Sequence, residues 1–355
     1  MTNKIETRGF MKDSISVLQK IVPDLLTVLH SRYRILKEIQ ACSPIGRRAL
    51  SEKLNQSERT LRTETDFLRK NGIVSSSKAG MELTHKGKKV FYELESIIDH
   101  FMKMNAKEEE LAKMLKLQLC RIVPGNLDDD STILDQLGIA AVNMFDELLP
   151  EGEFIVAVAG GSTMAAMAKN MTTELSDNRK FTFVPSRGGL GEVMSIQANS
   201  VSDLMAQATG GENTALFAPD NLSAQALDSL KNEPTIRYTM NMMKRANCLL
   251  YSIGNAKVMM ERRKMSEEEK KLLTNNEVVG EAFGCYFDEK GTIISRLSRF
   301  GLQIEDVERI PYAIAIAGGE LKAKAIKAYS HIAPEHTWLV TDEGAANLIL
   351  KGDTL

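Results

Sequence analysis

Three glycine-rich turns carry the residue types in this chain best suited to chemistry, and that chemistry is anion binding. The apolar run Ile155–Ala159 ends in Gly160-Gly161 and continues into Ser162-Thr163. A strand, a double glycine and a hydroxyl pair at a helix start offer backbone N–H groups and the positive end of a helix dipole to a negative ligand. The device returns at Ala313–Ala317, followed by Gly318-Gly319, a helix expected from about Glu320, and Lys322 close by. A third turn, Ser186-Arg187-Gly188-Gly189-Leu190-Gly191, leaves the run Phe181–Pro185 and adds an arginine whose planar fork suits phosphate oxygens. None of the three has the spacing of a Walker A loop or of the dinucleotide GxGxxG motif. Alone, each is often only a tight connection. Together, at strand ends of one sheet, they converge on the crevice where open α/β sheets bind ligands, so a small phosphorylated ligand is expected. Two anion cradles on one sheet further suggest two phosphates.

Four other side chains are candidates beside these turns: Gln197, Arg262, Arg263 and Glu281. Arg262-Arg263 sits in the polar stretch ERRKMSEEEK and by default faces solvent. Glu281, acidic among apolar neighbours, suits hydrogen bonds from sugar hydroxyls or else a helix cap. No histidine is paired with a serine or cysteine nucleophile. The four cysteines form neither a CxxC nor a Cys/His pair, so no metal or disulfide framework is expected. An aldose–ketose isomerase or deaminase is the rival reading of such a site, and it needs a general base at the ligand. Glu281 is the only acid the sequence offers there, with no visible partner acid.

The elements that must hold these residues are legible in outline. Apolar runs at 154–160, 181–186, 214–219, 247–254, 314–319 and 337–344 alternate with helical stretches, which implies a buried parallel sheet with helices on both faces. At 355 residues, with 43% hydrophobic and 26% charged composition, the chain is globular and long enough for two domains. No apolar run approaches the roughly 20 residues of a membrane span, and no signal-peptide core is seen, so a reducing, cytoplasmic setting is expected. The net charge of -2 conceals an asymmetry. Residues 1–118 carry 22 Lys and Arg against 15 Asp and Glu, whereas the remainder carries 23 against 32. A basic module for a polyanion joined to an acidic body is one reading, and a basic solvated surface is the other.

The N-terminal pattern favours the polyanion. Residues 1–14 lack periodicity and are expected to fray, and from Ile15 a helical pattern begins, marked by Pro23. Arg48–Leu54 is a short amphipathic helix, Asn55-Gln56 a turn, Ser57 an N-cap, and Glu58–Asn71 a second helix stopped at Gly72. That helix places Leu61, Thr65 and Leu68 on one face and Arg59, Thr60, Arg62 and Thr63 at the opposite, N-terminal end. Ile73-Val74 and Met81–Thr84 then read as a hairpin. Helices followed by such a hairpin make a winged helix-turn-helix, whose recognition helix carries its leading residues to base edges; a basic three-helix bundle is the alternative. Residues 86–118 form a long helix with 4,3-spaced Val90, Leu94, Ile97, Phe101, Met104, Leu111 and Leu115, interrupted by Glu108. That seam suits either subunit pairing or packing on its own domain. PGNLDDDS at 124–131 reads as a linker.

The segments PIGRRALSEKLNQSERTLRTETDFLRKNGIV, FVPSRGGLGE, EAFGCYF, AGGELKAKAI and LVTDEGAA resemble the SorC family of sugar-responsive transcriptional repressors, and the likeness covers nearly everything from about residue 18 onwards. It implies a repressor of a glycolytic operon, released from cooperative operator binding by fructose 1,6-bisphosphate. It also implies a homo-oligomer, dimer or tetramer, with no cofactor. Carried over by position, Gly161, Ser162 and Thr163 with Lys322 surround one phosphate. Arg187, Gly188, Gly189, Leu190 and Arg262 surround the other, with Gln197 and Glu281 near the sugar, and Gly160 completes the first turn. Ser162 stands where the family has threonine, which keeps the hydroxyl, and Glu320-Leu321 replaces two small residues beside Lys322. The DNA-reading set is Arg47, Arg48, Ser57, Arg59, Thr60, Arg62 and Thr63. The expected fold is an N-terminal winged helix-turn-helix over 1–88, a linker helix over 89–118, and over 119–355 a Rossmann-like, doubly wound α/β domain similar to sugar-phosphate isomerases and deaminases.

Overall fold

A computed structural model describes Val22 and residues 25–189, 193–219 and 224–352. The stretch 1–14, the helix start before Pro23, and Leu190 lie outside the described residues. The chain divides into two compact units at Ala106/Lys107.

In the first unit, α1 (Leu25–Cys42), α2 (Arg47–Leu54) and α3 (Glu58–Lys70) precede a hairpin of β1 (Val74–Ser76) and β2 (Met81–Leu83). Its core is Ile35, Leu36, Ile39, Leu50, Leu54, Leu61, Leu68, Ile73, Met81, Leu83 and Phe91. The turn between α2 and α3 is built locally. Asn55 takes a left-handed φ of 50°, the Ser51 hydroxyl donates to Gln56 O (2.6 Å), and the Ser57 hydroxyl accepts the Thr60 amide (3.1 Å). Gly72, with φ 71°, turns the chain out of α3 into β1. Ile45 and Met81 exchange backbone hydrogen bonds, adding a one-residue bridge to the antiparallel hairpin.

Helix α4 (His85–Leu115) follows. The side chains of Ile97 and Phe101 lie outside the described residues, but Leu111 and Leu115 are buried within the chain itself, so that end of the 4,3 seam serves intrachain packing. Glu108, which breaks the seam, accepts the Ile122 amide (2.9 Å) and faces Arg121 (3.3 Å), tying α4 to the next strand.

The second unit is an α/β fold around seven parallel strands: β3 (Leu119–Val123), β4 (Gly152–Val158), β5 (Arg179–Pro185), β6 (Glu212–Asn213), β7 (Cys248–Tyr251), β12 (Tyr312–Ile316) and β13 (Thr337–Asp342). Their order is β3-β13-β12-β7-β4-β5-β6, so the direction of winding reverses between β4 and β7. Val156, Val158, Ile314 and Ile316 enter one large core with α5 (Ile133–Leu148), α6 (Ser162–Asn170) and α7 (Ala198–Thr209). Ala157, Ala313 and Ala315, on the alternate face, are equally buried, so both faces are covered, as parallel strands require. Three features differ from the sequence reading. The run 214–219 is irregular, because the edge strand is only Glu212–Asn213 and the backbone beyond it answers Gly189 instead. β3, next to β13, lies where the helix-to-linker boundary was expected. A second, antiparallel sheet forms from β8 (Gly254–Asn255), β9 (Gly280–Ala282), β10 (Cys285–Phe287) and β11 (Ile293–Arg296), strands too short to show a periodicity.

Candidate functional site

Four strand ends of the parallel sheet open onto one cleft of about 250 Å³ at the winding reversal. After β4, Gly160-Gly161 leads into α6. A Cβ on Gly160 would lie 2.6 Å from Ile196 O and 2.9 Å from Arg187 Nη2, so only glycine lets that backbone and that guanidinium approach. Gly161, at φ 121°, has its own amide bonded to Ile196 O (2.8 Å). The first-turn amides of α6, from Ser162 on, have no intrahelical acceptor, and Ser162 and the buried Thr163 line the cleft.

Arg187, 8% exposed, follows β5 and lines the cleft; its Nη1 donates to Gly188 O (3.2 Å). Gly188 and Gly189 serve it from outside the cleft wall. Their amides donate to Phe300 O (3.2 Å) and Ala218 O (2.9 Å), and a Cβ on Gly188 would come within 2.5 Å of Ala218 O. Gln197 is the buried N-cap residue of α7, next to Gly189 and likewise off the cleft wall.

The cleft wall also holds Arg262, Arg263, Glu281, Lys322 and, beside Ser186, Arg299. Arg262 ends α8 (Ala256–Arg262). Arg263 departs from the solvent-facing default: its side chain is 6% exposed and pairs with Glu281 at 3.2 Å. Glu281 lies on β9 rather than at a helix cap, and its Oε1 also accepts the Gly284 amide (2.7 Å), which holds the carboxylate between a guanidinium and a turn. Half-buried Lys322 is pushed down to about 8, by burial first and by the Arg262 guanidinium second, while Asp128 and Asp342 pull the other way.

The second glycine turn carries an unexpected occupant. Its amides do not stand open: Gly319 N–H donates to Asp342 Oδ2 (2.8 Å) and Leu321 N–H to Asp128 Oδ2 (2.9 Å). Only a 3₁₀ turn, Glu320–Lys322, and then the seven-residue α9 (Ala323–Tyr329) follow it. Of the cleft residues the sequence reading did not single out, Asp128 lay in an acidic stretch that resembles any solvated linker. Arg299 belongs to the run Ser298-Arg299-Phe300-Gly301, which carries no pattern.

Charge completes the picture. Five cationic side chains, Arg187, Arg262, Arg263, Arg299 and Lys322, line the cleft against two carboxylates, Asp128 and Glu281, in a body that is otherwise net acidic. Such a pocket selects an anion. Among the described residues no cluster of His, Cys, Asp and Glu could hold a metal ion, and no helix is long and apolar enough to cross a membrane.

In the first unit, Arg59, Thr60, Arg62 and Thr63 are all exposed along the leading turns of α3. Ser57 bonds the Thr60 amide and shares a 2.8 Å hydroxyl contact with the Thr60 side chain, so it shapes the helix start. Arg62 approaches Asp66 at 3.8 Å, an exposed i,i+4 contact too weak to hold it back from a ligand. Arg48 and Glu52 pair in the same way on α2 (3.3 Å), and Arg47 is half-buried at that helix's start.

Comparison with known proteins agrees with both units. The model of a sugar-binding domain family matches residues 99–351, and that of the CggR N-terminal DNA binding domain matches residues 28–98. The chain is 40% identical over 347 residues to the central glycolytic genes regulator of Bacillus subtilis, covering 97% of this chain and all of that one. It is 37% identical to the protein of that name from Priestia megaterium, over 96% of this chain and 99% of the relative. A SorC family transcriptional regulator from Enterococcus faecalis superposes with a TM-score of 0.65 at 45% identity, covering 69% of this chain and 99% of that one. The full-length sorbitol operon regulator SorC of Klebsiella pneumoniae, at 18% identity and a TM-score of 0.64, shares the fold over 86% of this chain and 94% of its own. These likenesses set aside the isomerase and deaminase reading. The chain belongs to the SorC-type family of transcriptional regulators that join a DNA-binding domain to a sugar-binding domain, and within it to the central glycolytic genes regulators.

Proposed function

We propose that the protein is a cytoplasmic repressor of a glycolytic operon which leaves its operator when the cleft takes up a phosphorylated sugar, most simply fructose 1,6-bisphosphate. The observation that carries this reading is the cleft itself: four strand ends, a glycine turn closed against an arginine, and five cations in an acidic body. Gly161, Ser162 and Thr163 with Lys322 take one phosphate; Arg187 and Arg262, backed by Gly188 and Gly189, take the other. Glu281 orients the sugar from the cleft wall, and Gln197 backs the site from beside Gly189. The DNA-reading module is residues 1–88, with Arg59, Thr60, Arg62 and Thr63 at base edges and Arg47, Arg48 and Ser57 at the backbone. Residues 89–118 link it to the effector module, 119–355, and the protein acts as a homo-oligomer, as two-fold operators require.

Release of DNA follows from linkage. A ligand shifts an equilibrium only by its differential affinity for the two states, so the sugar binds the DNA-incompetent state more tightly. Operator DNA then weakens sugar binding by the same factor, about 5- to 150-fold for a typical coupling. The test is operator binding by the purified protein, titrated with fructose 1,6-bisphosphate and with fructose monophosphates, together with sugar affinity in the presence and absence of operator. Equal sugar affinities in the two conditions overturn the switch.

A further inference from the structure

We infer that Asp128 is a specificity-determining residue of the cleft: its carboxylate is an internal counter-anion that a ligand phosphate must outcompete for the turn at Lys322. The inference rests on the sugar-phosphate reading of the cleft. Its grounds are geometric. Asp128 comes from the acidic turn before α5, 193 residues away in sequence from Leu321, whose amide it accepts at 2.9 Å. A Cβ on Gly319 would lie 2.7 Å from Asp128 Oδ1, so this glycine makes room for the carboxylate. Asp128 lines the cleft, and its charge acts on the Lys322 ammonium.

The two carboxylates on this turn are not equivalent. Asp342 is fully buried and accepts three amides, from Gly319 (2.8 Å), Leu127 (2.7 Å) and Ala345 (3.0 Å), which fixes it as a structural part of the turn. Asp128 is exposed and accepts one amide from this turn. Its own backbone is held independently, its amide donating to Asn126 Oδ1 (3.1 Å), so the side chain can swing away without unmaking its loop. A carboxylate carries one charge and a phosphate close to two at neutral pH. The stronger anion therefore displaces Asp128, and a neutral hydroxyl does not. Asp128 thereby makes the cleft demand a phosphate at the Lys322 end.

The test is calorimetric titration of the full-length protein and of Asp128→Ala, Asp128→Asn and Asp129→Ala with fructose 1,6-bisphosphate, inorganic phosphate and fructose. Asp129 belongs to the same turn but touches Asn126 rather than Leu321, so its removal changes net charge equally and serves as the control. Asp128→Ala is expected to bind the bisphosphate and inorganic phosphate about tenfold more tightly, the scale of one repulsive charge pair at close range. Asp128→Asn, which keeps an acceptor for Leu321, gains less; Asp129→Ala changes affinity less than twofold; fructose stays unbound. The gain vanishes in an Asp128→Ala/Lys322→Met double variant, because the two residues act as a unit. Unchanged or weaker phosphate binding by Asp128→Ala, with wild-type binding intact, overturns the competitor role while leaving the functional reading standing. The same gain in Asp129→Ala also overturns it, as a general charge effect. Absence of phosphate binding in wild type and variants alike overturns both.

Discussion

Arg187→Ala separates the two activities assigned to this chain. Arg187 is 8% exposed, and its Nη2 sits 2.9 Å from the space a Gly160 side chain would take, against the first glycine turn. A phosphate in the cleft beside Arg187 gains a charge-assisted hydrogen bond that water does not replace in the variant. Hydrogen bonds to charged groups contribute about 1.5–3 kcal/mol, so sugar bisphosphate affinity should fall about 10- to 150-fold. Ligand-linked stabilisation falls with it. At a concentration about 100 times the wild-type Kd, the stabilisation drops from about 2.7 kcal/mol to about 0.4 kcal/mol for a hundredfold weaker variant. Calorimetry and thermal melting with and without ligand read both quantities. Fluorescence anisotropy with labelled operator should show unimpaired DNA binding and a shifted or lost sugar response. Arg187→Lys keeps the charge but not the fork and should fall between wild type and alanine. Sugar affinity within twofold of wild type in Arg187→Ala, with the melting temperature of the free protein unchanged, would refute the assignment of Arg187 to a phosphate.

Other substitutions test the remaining parts. Arg62→Ala should cost about 1–3 kcal/mol on operator DNA and relax preference at one base pair, measured against random DNA; an equal loss on both makes Arg62 a phosphate contact, and full affinity in Arg59→Ala/Arg62→Ala removes α3 from the groove. Ser57→Ala deletes the cap on the Thr60 amide and should destabilise the DNA-binding unit by about 1 kcal/mol in denaturant unfolding, leaving sugar affinity untouched. Sugar bisphosphate affinity should also fall as pH rises from 7.5 to 9: the phosphates are already dianionic there, while Lys322, pushed down to about 8, loses the charge that binding requires. Lys322→Met should bind more weakly and lose that slope, and a parallel slope in the variant assigns the titration elsewhere.

What the sequence determined by itself is local. Ser57, Asn55-Gln56 and Gly72 are punctuation whose geometry depends on a few neighbouring residues, and the α2–turn–α3–hairpin arrangement follows from them. The double glycines after β4 and β12 were legible for the same reason, since Gly161 and Gly319 take a positive φ and Gly160 and Gly318 leave no room for a Cβ. Buried parallel strands were legible because both their faces are apolar. Which partner each polar group finds depends instead on how the chain packs. Arg263 looked solvent-bound in a charged stretch until β9 brought Glu281 to within 3.2 Å of it. Arg299 reaches the cleft from a run without periodicity, and Asp128 crosses 193 residues of sequence to the amide of Leu321. A turn amide donates to whatever acceptor the packed chain puts in front of it. Local sequence can show that the turn will offer amides; the fold alone determines whether they face an open cleft or one of the chain's own carboxylates.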